Sequence, residues 1–313
     1  MRLRFSNNKA GTFSGRNVGI LQTLYYFYYP GLWETFFTLI GYQPVLSGKT
    51  SRETIDVAGR ISEPEHCLPV KLFDAHLEDL AERVDFIFVP RMLSSLEGHI
   101  ACPKLGALPD VAAVRVNTGI LTIDIDERQA PLQVTLERLA RRLHTPRKEA
   151  RKAAKKALMA YQQSVDSIKQ NNNMEKRAGG KDRFLIIGHP YLLYDDYIAG
   201  RIFKKLVAQS IDAVPMTFQA IGLPDHFIKW DTAGKMYHQI MSLGNGDYQG
   251  IIQLSAFNCG CDSIMLDIFR EAVMQKGLPY LVLMLDEHTS PGGIDTRIEA
   301  FVDSVNWRNR GIS

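Results

Sequence analysis

The chain has 313 residues, of which 45% are hydrophobic and 23% charged, a composition typical of a soluble protein with about two domains. The formal net charge of +3 is too small to indicate nucleic acid as a partner, and four cysteines are too few for a secreted disulfide framework. The N-terminal segment MRLRFSNNKAGTFSG is polar, so neither a signal peptide nor a lipid anchor is expected and the predicted location is cytoplasmic. Cytosolic thiols are kept reduced, which makes metal or redox chemistry the leading use for the cysteines.

The first half of the chain alternates predicted strands and helices. In chain order these are the strand RNVGIL (16–21), an aromatic turn and a helix from Leu32 to Ile40, the strand QPVLSG (43–48), the helix PVKLFDAHLEDLAERV (69–84), and the strands VDFIFVP (84–90) and VAAVRVN (111–117). Continuous runs of Val, Ile, Leu and Phe are typical of parallel strands that are covered on both faces. The aromatic stretch of residues 17–42 is not predicted to span a membrane, because Gln22, Pro30 and Glu34 interrupt it.

A strongly basic segment separates the two halves. The stretch from Arg138 to Lys156 contains nine basic residues and a single acidic residue, Glu149. Its alanines favour a helix, so we interpret residues 146–180 mainly as a solvated helical connector, with a docking surface for an acidic partner as the alternative. Nucleic acid is not indicated, since no aromatic or groove-reading motif accompanies the charge.

The second half repeats the order of the first. It contains the strand DRFLIIGHP (182–190), the helix YIAGRIFKKLVAQS (197–210), and the strands DAVPMT (212–217), YQGIIQLS (248–255) and LPYLVLMLD (278–286). Gly19 and Gly188 lie at matching places in the first strand of each half. The predicted fold class is therefore α/β, with two Rossmann-like domains whose open, mainly parallel sheets face each other across a cleft. The first domain is expected at residues 1–145, the helical connector at 146–180 and the second domain at 181–313.

Each of the four cysteines is predicted close to the N-terminus of a helix, on a loop at the edge where parallel strands end. They are Cys67 in EHCLPV, Cys102 in IACPKL, and Cys259 and Cys261 in NCGCDS. Pro69 and Pro103 are well suited to a first helical turn, and NCGCDS lies between the strand GIIQLS and a predicted helix. Helix N-termini present free N–H groups and a partial positive charge, which favour the thiolate that binds metals.

These thiols are more compatible with a metal site than with a hydrophobic core, because no cysteine lies inside an apolar run. A disulfide between Cys259 and Cys261 would close a very small, strained ring. Structural zinc sites usually use two C-x2–4-C pairs, whereas this sequence has only one closely spaced pair of cysteines. A 4Fe-4S cluster is larger and can be held by widely separated loops, so it is the favoured interpretation, with zinc or a metal-free arrangement as alternatives.

A polar turn follows the last predicted strand in the sequence LMLDEHTSPGG. Glu287 and His288 are candidates for proton donors, or for hydrogen-bond partners of the metal-bound sulfurs. The alternative is structural: Asp286 and Thr289 would close the turn, and the two glycines after it would let the chain bend.

Several motifs occur in the same order as in a known family. They are LYYFYYPGLWETFFTLIGYQPVLS, EHCLPVKLFDAHLEDL, DFIFVPRMLSS with CPKLGALPD, and NCGCDS with LMLDEHTSPGGIDTRIEAFVD. Through nearly its whole length the chain resembles the acyl-CoA dehydratase activase-related proteins, which are akin to the cluster-binding component of 2-hydroxyacyl-CoA dehydratases. The resemblance implies two Rossmann-like domains with an iron-sulfur cluster between them. Cys67, Cys102, Cys259 and Cys261 stand at the matching cysteine positions.

The resemblance also implies a redox or electron-transfer component, or a reductase or dehydratase-type component if the protein is an enzyme. The sequence has no G-x-x-x-x-G-K-[ST] loop and no strand followed by G-x-G-x-x-G, so we do not expect it to hydrolyse ATP itself. The implied partners are a separate ATP-dependent activase or another electron donor, and a small-molecule or acyl-CoA substrate. A structural or regulatory protein with a redox-silent cluster or zinc is the alternative, and an oligomer with a shared cluster stays open.

Overall fold

The computed structural model describes residues 15–174, 182–217 and 227–309. The polar N-terminal segment, for which no export signal is predicted, lies outside the described residues except for its last residue. Residues 175–180 of the predicted connector also lie outside the described residues.

Strands and helices alternate along most of the chain. The strands are β1 (Asn17–Ile20), β2 (Gln43–Leu46), β3 (Phe86–Phe88), β4 (Arg91–Ser94), β5 (Gly119–Leu121), β6 (Asp124–Asp126), β7 (Arg183–Gly188), β8 (Asp212–Pro215), β9 (Gly250–Ala256) and β10 (Tyr280–Leu285). The helices are α1 (Tyr25–Tyr28), α2 (Leu32–Leu39), α3 (Arg52–Ile61), α4 (Leu68–Ala81), α5 (Pro103–Arg115), α6 (Leu132–Arg142), α7 (Arg147–Met174), α8 (Pro190–Leu193), α9 (Gly200–Ala208), α10 (Asp231–Met241), α11 (Gly260–Gln275) and α12 (Pro291–Asn309).

Parallel pairing joins these strands into sheets. Within the described ranges, two sheets have four strands each, in the orders β2-β1-β3-β5 and β10-β9-β7-β8, and β4 and β6 form a separate parallel pair. Among the strands that the apolar runs predict, β3 and β9 are buried throughout and β1 and β7 along most of their length, whereas β2 and β10 are mostly half-buried. The protein is therefore a mixed α/β protein with parallel sheets, as the sequence predicts.

One predicted strand is wrong. Residues 111–117, VAAVRVN, lie largely within the helix α5. Pro103 occupies its first turn, and Leu105, Leu108 and Ala112 are buried at helical spacing on one face. A short run of valine and alanine does not by itself distinguish the two structures. The next strand of the sheet is β5, which follows the helix directly.

The aromatic stretch of residues 17–42 provides core side chains that pack against Phe88 at the end of β3. The ring of Phe88 lies 4.8 Å from that of Trp33 and 5.1 Å from that of Phe37, measured between centroids. The Tyr25 hydroxyl donates a hydrogen bond to the carbonyl oxygen of Phe88 at 2.6 Å. The predicted helix at Leu32–Ile40 is confirmed as α2. In the described part of the chain, no helix combines the length and the apolar character needed to cross a bilayer.

The basic connector forms the long helix α7. Its alanines at 150, 153, 154 and 157 are buried, and the helix packs against α2 and α6. The ring of Tyr161 on α7 lies 5.7 Å from that of Tyr29 in the aromatic segment. Residues 147–174 are therefore helical, with the alanines facing inward and the cations facing solvent, so this part of the segment is packed on one side rather than fully solvated. Its role as a connector between domains stays a prediction.

Candidate metal centre

All four cysteines lie at helix N-termini. Cys67, Cys102 and Cys259 are the N-cap residues of α4, α5 and α11, and Cys261 lies within the first turn of α11. The prediction that every thiol lies on a loop is therefore wrong for Cys261, because α11 begins at Gly260, two residues before the predicted helix start at Asp262. None of the four forms a disulfide. Three are buried, and Cys102 is partly exposed.

The four thiols interact with one another. The Cys261 thiol donates a hydrogen bond to the sulfur of Cys102, which lowers the pKa of Cys102 to about 6 and raises that of Cys261. Burial raises the pKa of the Cys67 thiol to about 11; the Lys104 ammonium partly offsets this effect, and the negative charge of Cys259 adds to it. The fold thus brings together thiols from α4, α5 and α11. These four residues are called the four-cysteine site below.

The four sulfurs do not all lie as close together as the ligands of a tetrahedral zinc site, although those of Cys102 and Cys261 are hydrogen-bonded. With Zn–S bonds of about 2.3 Å, the sulfurs of such a site are about 3.8 Å apart. Among the described residues, His189, Cys259 and Asp262 have ligand atoms that all lie within 4.8 Å of one another, and no trio of cysteines meets that limit. The four thiols are therefore not arranged as a preformed tetrahedral zinc site.

His189 is a buried neighbour of this site that the sequence does not predict. It caps the short helix α8, directly after Gly188 at the end of β7. At Gly188 a Cβ atom would lie 2.7 Å from the Leu254 carbonyl oxygen, so glycine allows the close approach of β7 to β9. Burial alone would lower the pKa of His189, but the Asp262 carboxylate, 3.0 Å from its Nε2, raises the pKa well above its usual value. His189 also hydrogen-bonds to Cys259, which places a cation beside the thiols.

The hydrogen bonds of His189 continue in two directions. On one side, Asp262 accepts a hydrogen bond from the Ser255 hydroxyl at 2.8 Å. On the other, the Tyr28 hydroxyl lies 3.4 Å from His189 Nδ1 and 3.0 Å from the Thr232 hydroxyl. The network therefore connects the aromatic segment after β1 with the strand ends β7 and β9.

The loop that carries Cys102 is held by residues from the second half of the chain. Ile100 forms a parallel bridge with Trp230. Asp231 accepts hydrogen bonds from the backbone N–H of Ser95 at 3.0 Å and from its hydroxyl at 2.7 Å. The position of Cys102 thus depends on contacts between the two halves.

Replacing Asp231 with alanine is expected to loosen this loop, because a buried carboxylate with two loop hydrogen bonds is lost. The free energy of unfolding should fall by about 1.5–3 kcal/mol, the range for hydrogen bonds to charged groups. Urea unfolding measures this loss, and amide hydrogen exchange should become faster in residues 95–101. The matched control is Asp247→Ala, since Asp247 accepts a backbone hydrogen bond from Gly244 on an exposed loop. Unchanged exchange in residues 95–101 would contradict the expectation.

The predicted proton donors lie in different environments. Glu287 is largely buried, and its carboxylate is 2.5 Å from the ammonium of Lys71 on α4. Lys71 donates its backbone N–H to the Cys67 carbonyl oxygen at 3.1 Å, so this ion pair lies one turn from the thiol. The side chain of His288 is 86% exposed and 3.7 Å from that of Glu287. The structure therefore brings Glu287 towards α4 but leaves His288 at the surface, and their proposed proton transfer stays a prediction.

The hydrogen bonds after β10 match the structural alternative for LMLDEHTSPGG, in which Asp286 and Thr289 close the turn. Asp286 accepts hydrogen bonds from the His288 backbone N–H at 3.0 Å and from the Thr289 hydroxyl at 2.7 Å. The Thr289 hydroxyl in turn accepts the backbone N–H of Asp286. These three bonds close the turn between β10 and α12.

A cavity of about 430 Å³ lies between the start of α4 and the turn after β10, and no cysteine is among its lining residues in the described chain. Leu68, the residue after Cys67, and Glu287 both contribute to its wall. Its aliphatic lining consists of Ile55, Leu68, Ile198, Ile202, Leu285 and Ile294. This volume is in the range of small-molecule sites, which are mostly apolar with a few polar groups.

The pKa difference between the thiols predicts their reactivity in the reduced, metal-free protein. Alkylation of Cys102 by iodoacetamide should have a midpoint near pH 6, because the thiolate is the nucleophile and forms above the pKa of about 6. Cys67, with a pKa of about 11, should remain unlabelled at neutral pH. Peptide mapping by mass spectrometry measures both. In Cys261→Ala, the midpoint for Cys102 should move to higher pH, and a midpoint near the ordinary value of about 8.5 in the unmodified protein would contradict the expectation.

These features define a mixed α/β protein with a buried four-cysteine site at helix N-termini. Residues 17–218 match the family described as CoA enzyme activase uncharacterised domain (DUF2229). Because the match covers more than half of the chain, the protein belongs to this family, and the resemblance to activase-related proteins is confirmed. The matched range includes Cys67, Cys102 and His189 and ends before Cys259.

The comparisons with curated proteins and with solved structures do not extend this family assignment. No curated protein matches the chain. Similar solved structures include a mutant of the laminin-binding adhesin Lmb from Streptococcus agalactiae, with 10% identity and a TM-score of 0.27 over 96% of this chain and 100% of that chain. ZnuA has 10% identity and a TM-score of 0.25, and the laminin-binding protein Lbp of Streptococcus pyogenes has 9% and 0.25; each comparison covers 93% of this chain and 98% of the other. Similarities this weak carry no argument.

Proposed function

We propose that the protein holds a 4Fe-4S cluster through Cys67, Cys102, Cys259 and Cys261. The observation that carries this proposal is the meeting of four thiols from three helix N-termini, each within electrostatic or hydrogen-bonding reach of another. Thiolates are the usual ligands of such a cluster, and the bound group would supply one-electron chemistry. The residues of this site therefore fit the group.

The surroundings of the thiols support the same proposal. Lys104 and the protonated His189 place positive charge beside the sulfurs. The N-termini of α4, α5 and α11 add partial positive charge from their backbone N–H groups. Together these groups would offset the negative charge of four thiolates and favour their binding to metal.

In this proposal the two four-stranded sheets belong to two Rossmann-like domains that face each other across a cleft. The matching strand orders support it, since each sheet places its first strand between its second and third strands. The domains are those expected from the sequence, at residues 1–145 and 181–313, and α7 forms the connector between them.

The proposed role is that of a redox or electron-transfer component. The family supports a relationship to activases, and the electron would come from a separate ATP-dependent activase or another donor. Four thiolate ligands would leave no open iron position, which favours electron transfer over substrate reduction at the metal. Within this proposal, the cavity beside Leu68 is the candidate site for a small-molecule or acyl-CoA substrate.

The test is the metal content of protein purified without oxygen. About four iron and four acid-labile sulfide per chain are expected, with an EPR signal after dithionite reduction. A cluster that dithionite does not reduce would favour the structural or regulatory alternative. Stoichiometric zinc would do the same and would direct attention to His189, Cys259 and Asp262, whose ligand atoms lie close together. A folded protein without metal would overturn both readings of the site.

A further inference from the structure

The outer surface of the first part of α7 carries six exposed cations and one exposed carboxylate, Glu149. The six cations, called the basic face here, are Arg147, Lys148, Arg151, Lys152, Lys155 and Lys156. They alternate with the buried alanines at 150, 153, 154 and 157. Packing of the alanine side against α2 and α6 fixes the helix, so the cations are held outward in two rows.

These charges are not neutralised within the described ranges. No ion pair there involves any of the six side chains. Like charges four residues apart, such as Arg147 with Arg151 and Lys148 with Lys152, destabilise a helix. This row of cations does not stabilise a helix that contacts only water, whereas it would strengthen the binding of a polyanion.

The basic face borders a depression between two helices. Its volume is about 860 Å³, and its lining is Gln133 of α6 with Arg147, Lys148, Arg151, Lys152 and Lys155 of α7. A concave surface lined by one sign of charge concentrates the electrostatic field and increases the rate of association with oppositely charged partners.

We propose that the basic face binds an acidic polypeptide segment of a partner protein. The concave shape favours a polypeptide over a bilayer, which is flat, and no groove-reading motif accompanies the cations to indicate a nucleic-acid duplex. Among the residues that the structure describes, no aromatic side chain lines the depression for stacking with single-stranded nucleic acid, and no apolar side chain lines it for insertion into lipid. Aspartate and glutamate side chains of an extended or helical segment match the two rows of cations. This inference goes beyond the proposed function and does not depend on a bound cluster.

The test uses the full chain and a fluorescein-labelled poly-L-glutamate peptide, measured by fluorescence anisotropy at low ionic strength. The variant Arg151→Glu, Lys152→Glu and Lys155→Glu should bind the peptide at least about tenfold more weakly, because three attractive charges become repulsive. The matched control is Arg60→Glu, Lys204→Glu and Lys229→Glu, which changes the net charge equally at exposed cations on other parts of the surface. A neutral variant, Lys152→Gln and Lys155→Gln, introduces no repulsion and should also weaken binding, by a smaller factor.

The proposal predicts that the control variant keeps most of the affinity. Equal weakening in both triple variants would overturn it, since net charge alone would then explain binding. Duplex DNA and phosphatidylserine-containing vesicles are measured in the same way. If either binds more tightly than the peptide, and if the basic-face variant loses that binding, the surface serves another class of partner and the proposal is overturned. The proposal would also be overturned if the peptide did not bind the unmodified protein at low salt. Circular dichroism of each variant establishes that the helix is retained.

Discussion

Protein carrying Cys259→Ser is expected to lose most of its iron and acid-labile sulfide when purified without oxygen. The serine oxygen is a poor replacement for a thiolate that binds iron. Cys259 caps α11 and hydrogen-bonds to His189, so in the proposed site its replacement would remove a ligand together with this hydrogen bond. The measurements are iron and sulfide per chain, together with the EPR signal after reduction. Serine variants of Cys67, Cys102 and Cys261 should behave similarly.

The control for this series is Ser263→Ala. The Ser263 hydroxyl donates a hydrogen bond to the carbonyl oxygen of Cys259 at 2.8 Å, so the change disturbs the same turn of α11 without touching a thiol. Iron content in this variant should stay close to that of the unmodified protein. Retention of iron in Cys259→Ser, or equal loss in Ser263→Ala, would show that the sulfur is not a ligand.

Glu287→Ala is expected to lower the free energy of unfolding by about 3–5 kcal/mol, the range for removing one partner of a buried ion pair. Its partner Lys71 is buried on α4, with a side chain only 6% exposed. Without the carboxylate, an ammonium group would remain in a largely apolar environment between α4 and the turn before α12. Chemical denaturation followed by circular dichroism measures the change.

Two variants show whether the effect comes from the unpaired charge. In the exposed pair Lys49–Asp196, where both side chains are about three-quarters exposed, Asp196→Ala should change stability by no more than about 1 kcal/mol. The double variant Lys71→Met with Glu287→Leu should recover most of the lost stability, because neither charge remains buried. If Glu287→Ala destabilises the protein no more than Asp196→Ala does, the buried pair does not stabilise the junction.

The sequence predicts the central strands well and the short outer strands poorly. The runs in β3, β7 and β9 are apolar because both faces of these strands are buried, so the residue types alone identify them. In contrast, β4 and β6 contain polar residues such as Arg91 and Asp124 and pair outside the two main sheets. Strands of three or four residues with charged ends have no apolar run and give no clear signal.

The site shows a similar difference: the positions of the thiols could be predicted from local sequence, whereas the contacts of His189 with Asp262 and Tyr28 could not. Local sequence marks the starts of α4 and α5, because each has a proline in its first turn, but it places the start of α11 two residues too late. His189 meets Asp262 and Tyr28 across 73 and 161 residues of sequence. Such contacts depend on how the sheets pack and are not encoded locally. Each of these residues nonetheless adjoins a feature visible in the sequence: Asp262 follows Cys261, and His189 follows the first strand of the second half.

Proline in the first turn of a helix recurs around the four-cysteine site. Pro69, Pro103 and Pro190 occupy the first turns of α4, α5 and α8, next to Cys67, Cys102 and His189 or within two residues of them. The proline ring restricts φ in the unfolded chain as well as in the folded one. Less conformational entropy is therefore lost when these helix starts become ordered. A site built on such stiff segments needs little rearrangement to receive a bound group, which favours its tight retention.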